Sequence, residues 1–77
     1  MMNIGSGLAK RLNDAGVNCA EDLISIGSKQ AFLKTKAIYP DACINSLFAL
    51  EGAIRNIRWH HLPSKVKSDL KEFNDAL

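Results

Sequence analysis

Apolar residues recur along this chain at steps of three and four, and no alternating two-residue pattern survives over even four positions. The spacing predicts an all-α fold. Gly5, Gly7, Gly16, Gly27, Pro40 and Pro63 punctuate it and set the expected element ends. A first helix is predicted from Ser6 to Ala15, with Leu8, Leu12 and Ala15 on one face. Gly16 follows as its left-handed terminal residue, and Val17 is placed to fold back onto the last turn. A second, short helix is predicted from Ala20 to Ile26. Asn18 or Cys19 occupies its cap; Asn18 with Glu21 reads as a capping box, and Glu21 and Asp22 suit the positive end of the helix dipole.

Gly27 then breaks the chain, and Ser28 reads as the cap of a third helix from Lys29 to Lys36. The stretch "AIYPDACI" reads as a loop, because Pro40 disfavours helix at Tyr39. Asp41 is the expected N-cap of the next helix. That fourth helix is predicted from Ala42 to Trp59, apolar over more than half of its circumference, and so central to the fold. Gly52 in its interior costs about 1 kcal/mol relative to alanine, and close approach of another backbone is the expected compensation. Pro63 opens a fifth helix running to Asn74, with Val66, Leu70 and Phe73 as a narrow stripe. The predicted architecture is a compact five-helix domain over residues 1–77. Its expected core is Ile4, Leu8, Leu12, Leu23, Ile26, Phe32, Leu47, Phe48, Ile54, Trp59, Leu70 and Phe73.

Composition narrows the class. A 77-residue chain that is 47% hydrophobic and 23% charged is apolar enough to fold as one domain, though with a thin core. The two cysteines, Cys19 and Cys43, are too few for a disulfide framework. They lie among apolar neighbours, which predicts burial and a reduced, cytoplasmic protein. No apolar run approaches the ~18 residues of a membrane span, and no signal-peptide pattern opens the chain, so no membrane association is expected. A net charge of +2 permits a polyanionic partner without demanding one.

The chain also carries a weak internal repeat. "NIGSGLAKRL" and "SIGSKQAFLK" each read as a polar residue, Ile, Gly and Ser before a helix start. This device resembles the helix-hairpin-helix motif, with Asn3-Ile4-Gly5 at the hairpin and Ala9 and Leu12 at helix positions. "AGVNCAEDLISIG" resembles the usual link between two such units. In order and spacing, the fragments at residues 3–27, "NSLFALEGAI" at 45–54, and the Trp59, Leu62, Pro63, Leu70 series are similar to the C-terminal domain of the TfoX (Sxy) competence-regulator family. The resemblance implies tandem helix-hairpin-helix-like units and a regulatory role. It implies a free-standing form, since the chain has no room for the N-terminal domain that often precedes this one. There are three departures from the pattern: Asn3 replaces the first hairpin glycine, Cys19 replaces a threonine cap, and the first helix of the first unit is missing.

The hairpins are the candidate sites. A helix start offers free N–H groups and a positive dipole end, and glycines let a phosphate approach. Gly5, Ser6 and Gly7, with Lys10 and Arg11 one turn on, therefore form a candidate DNA-backbone contact. Gly27, Ser28 and Lys29 form a second, where the lysine stands against the helix dipole. The plainer reading is that both are turns with solvated cations. Arg55 and Arg58 share a face in the expected helix, with His61 near, and Glu51 is placed to pair with Arg55. His60 and His61 are adjacent and diverge, so no metal site is expected. Trp59 reads as a core plug. With no nucleophile elbow, phosphate loop or carboxylate pair, neither an enzyme nor a cofactor is expected. The leading expectation is a regulatory module with a protein partner. The alternative is sequence-independent DNA binding through the hairpins, gaining if the cations converge and losing if Asp14, Glu21 and Asp22 interrupt them.

Overall fold

A computed structural model describes residues 3–77 of the chain; of the expected single domain over 1–77, residues 1 and 2 lie outside the described residues. Helix α1 spans Ser6–Asp14, α2 Ala20–Ile38, α3 Ile44–Arg55 and α4 Ser64–Asp75, with one 3-10 turn at Trp59–His61. No strand occurs among the described residues. Among the described residues the fold is all-α with four helices, not five. The second and third expected helices form one element, α2, which bends at Gly27. There φ is +84° and ψ 163°, a conformation that belongs almost solely to glycine. The two Ile-Gly steps therefore differ in backbone: Gly5 stands at an ordinary φ of −80°.

Helices α1 and α3 end by the same device. Past α1, Gly16 turns left-handed at φ +89°. The Val17 N–H donates to Leu12 O at 2.8 Å and the Gly16 N–H to Asn13 O at 3.0 Å. Val17 is buried by the reversal. Past α3, Asn56 takes the left-handed place at φ 56°, and the Ile57 N–H donates to Gly52 O at 2.9 Å. The predicted run to Trp59 is thus cut short at Arg55. Asparagine is the common substitute for glycine at such a stop, and the apolar period that continues past it conceals the break.

Of the two residues expected to cap α2 the structure takes Cys19, and the cap expected for α3 is replaced. The N-cap of α2 is Cys19, one residue later than the predicted box requires. Asp22, not Glu21, therefore reaches back to accept from the Asn18 N–H at 3.1 Å. The N-cap of α3 is Cys43, and Asp41 turns away to Arg11. Both cysteines are exposed rather than buried, because each stands where the chain enters a helix from a loop.

Leu12, Leu23, Phe32, Leu47, Leu50, Leu62 and Leu70 are buried at the centre. The remaining expected core residues, Ile4, Leu8, Ile26, Phe48, Ile54, Trp59 and Phe73, pack around them. Helix α3 is central: it packs on α2, α4 and the 3-10 turn. Trp59 plugs that junction, its ring stacked on Phe48 with centroids 5.7 Å apart. Gly52 meets the close approach expected of it, from the backbone of Ile57 and Trp59 and from the side chain of Asn3.

Candidate functional site

The first hairpin opens α1. Gly5, Ser6 and Gly7 are exposed, and no side chain caps the helix start. Its cations are not free. Lys10 Nζ lies 3.3 Å from Asp14 Oδ2, and the Tyr39 hydroxyl donates to the same oxygen at 2.5 Å. Arg11 forms a fork with Asp41, at 3.1 and 2.9 Å, and its guanidinium lies 4.4 Å over the Tyr39 ring. The Tyr39 hydrogen bond, then the Lys10 bond, holds the Asp14 carboxyl below its usual range. The bond to Asp14 raises the Tyr39 phenol, and the Arg11 fork lowers Asp41. This cluster clasps α1 to the loop after α2 with its charges matched.

The second hairpin lies at the Gly27 bend. Ser28 is 4% exposed and does not offer itself to solvent. Its hydroxyl donates to Glu51 Oε1 at 2.6 Å, while Arg55 Nε donates to Glu51 Oε2 at 2.7 Å. Burial pushes the Glu51 carboxyl up, but the bonds from Arg55 and Ser28 outweigh it and leave the group below its ordinary value. Lys29 reaches across to α4, 3.0 Å from Asp69 Oδ2, with Phe73 beneath it at 5.3 Å. Ser28, Lys29, Glu51, Arg55 and Asp69 line a cleft of about 630 Å³ where the bend of α2 meets α3 and the start of α4. Lys10 and Arg11 do not line it. The eight candidate residues thus fall into two clusters with different carboxylate partners, and Asp14 interrupts the first.

The sequence pairs Glu51 with Arg55 correctly. It misses Ser28 as the other partner, since a serine before a helix reads as a cap. It also misses Asp41 and Asp69, whose partners are 30 and 40 residues away in the chain. Arg58 shares no helix face with Arg55, because Asn56 ends α3 between them. The His60 ring stacks on Trp59 at 4.0 Å. Among the described residues no group of three or more His, Cys, Asp or Glu side chains is placed to hold a metal ion.

The chain matches no curated protein. It superposes on an uncharacterized protein from Listeria monocytogenes, in a triclinic crystal form, with a TM-score of 0.98 and 39% identity, covering 99% of this chain and 86% of that one. A protein of unknown function from Listeria monocytogenes, in a tetragonal form, gives a TM-score of 0.97 at 39% identity, covering 99% of this chain and 94% of that one. The family model for the TfoX C-terminal domain matches residues 1–74, and the chain belongs to that family.

Proposed function

We propose that this protein is a non-enzymatic regulatory module that acts in the cytoplasm by binding another protein. One observation carries the preference for protein over DNA. Each hairpin cation named in the sequence already has an aspartate, Lys10 with Asp14, Arg11 with Asp41 and Lys29 with Asp69. Counterion release, the main source of DNA affinity, needs cations that can turn to phosphates. Membership of the TfoX C-terminal family supports a regulatory setting. The helix-hairpin-helix organisation belongs to the same proposal, supported by an Ile-Gly step before α1 and at the α2 bend.

The second reading is sequence-independent DNA binding. It is favoured by the exposed Gly5-Ser6-Gly7 turn, whose helix-start N–H groups have no side-chain cap. A salt titration of labelled duplex and single-stranded DNA separates the two. The protein reading expects no binding at low salt. Binding that falls steeply with salt, and that Lys10→Ala and Lys29→Ala weaken alike on unrelated sequences, would replace it with the DNA reading.

A further inference from the structure

We propose that the cleft at the Gly27 bend docks an acidic peptide segment, one that sets an apolar side chain beside a carboxylate. The inference rests on the protein-binding reading above and assigns it a place and a partner chemistry. The cleft, at about 630 Å³, is of the size that holds a ligand group, typically ~300–1,000 Å³. Its floor is apolar: Ile26 and Val66 are half-buried there, with Leu70 beneath them. Its rim carries three cations. Lys29 and Arg55 are held by Asp69 and Glu51, whereas Lys65 has no carboxylate at ion-pair distance among the described residues. The lining therefore holds one unmatched positive charge beside an apolar floor.

A carboxylate over Lys65 with an apolar side chain on Ile26 and Val66 matches both features at once. The floor supplies burial, and the rim charge fixes the register. A nucleic acid backbone matches them worse. It has nothing to bury on the apolar floor.

Lys65 gives a clean test, because it is exposed and is the second residue of α4. A cation in a first turn opposes the helix dipole, so Lys65→Glu is expected to keep or raise the melting temperature. Lys71→Glu makes the same charge change on the same helix, at an exposed position outside the cleft. Random twelve-residue peptides displayed on phage are selected on the intact protein. The enriched sequences are then synthesised, and their affinities measured for wild type and both variants. The expected result is enrichment of Asp or Glu next to apolar residues. Lys65→Glu should weaken the synthetic peptides at least about tenfold, with little change in Lys71→Glu. Amide shifts in NMR spectra should cluster at residues 26–30 and 65–70.

Failure to enrich any peptide, or equal affinity for wild type and Lys65→Glu, overturns the proposal. Peptides that bind but shift amides elsewhere remove this site while leaving the protein-binding reading intact. If no peptide binds and duplex DNA does, with loss in Lys10→Ala and Lys29→Ala, both readings fall together.

Discussion

Asn3 Nδ2 lies 2.5 Å from the point where a Cβ on Gly52 would stand, and donates to the carbonyl oxygen of Ile57 at 2.7 Å. The Trp59 N–H returns a bond to Asn3 Oδ1 at 3.1 Å. The asparagine side chain thus completes the backbone turn that follows α3. Gly52 is the residue that leaves room for it, with Ile57 O and Trp59 N at 2.8 and 3.1 Å from the same point. Alanine is normally worth about 1 kcal/mol more than glycine inside a helix. Here its methyl would meet backbone atoms that cannot rotate away. Gly52→Ala is therefore expected to destabilise by about 1–3 kcal/mol, the usual cost of overpacking. Urea unfolding checks it, and an unchanged midpoint would refute the account.

Gly27 is constrained by conformation rather than by space. Nothing lies within 4 Å of a Cβ built there, yet its φ of +84° strains any side chain. Gly27→Ala should cost about 1–3 kcal/mol. Gly5→Ala, at φ −80° with equally open surroundings, should change stability far less. Comparing the two by thermal melts tests whether the repeated Ile-Gly steps differ as described; equal losses would contradict it.

Glu51 makes stability depend on acid. Its folded carboxyl titrates below the ordinary value of 4.5. The stabilisation is fully present above that value and is lost as pH falls through the lower folded one. Glu51→Gln should cost about 1–2 kcal/mol at neutral pH, where charge-assisted bonds from Ser28 and Arg55 are weakened. The gap from wild type should narrow below pH 4.5, where the native carboxyl takes up its proton. Urea midpoints at neutral and acid pH measure both. A gap that widens in acid would reverse the assignment.

The Arg11–Asp41 fork lies at the surface, the two side chains 33% and 68% exposed. A double-mutant cycle with Arg11→Ala and Asp41→Ala should give a small favourable coupling at low salt. It should disappear near ~1 M salt, where screening acts over ~3 Å. Coupling that persists there would mean that the Tyr39 ring under the guanidinium, not the ion pair, holds the clasp.

Periodicity made most of this fold legible. The apolar steps place Leu12, Leu23, Phe32, Leu47 and Leu70 in the core, and Gly16 marks the end of α1. Local signals failed where two residues compete for one role. Asp41 reads as a cap, but the guanidinium of Arg11 offers it a forked pair that a helix start does not. Asn56 stops α3 without the glycine that would announce it, so the helix reads four residues too long, as far as Trp59. At the candidate site, the basic residues were visible from spacing, but their neutralisation was not. Asp41 and Asp69 reach them only through the packing of the loop before α3 and of α4, which no short window of sequence contains. Val66 and Leu70 were legible as a stripe, yet the cleft they floor exists only because Gly27 bends α2 above them.

The Asn3 bridge has a consequence for how the molecule is made. Its two hydrogen bonds join residues 54 and 56 positions apart in a chain of 77. Contacts this distant close a long loop, whose entropy must be met before they form. Synthesis runs from Asn3 towards Trp59, so the asparagine lacks both bonding partners until Ile57 and Trp59 have been made. Asn3 thus waits for partners 54 and 56 positions further along the chain before it is fastened.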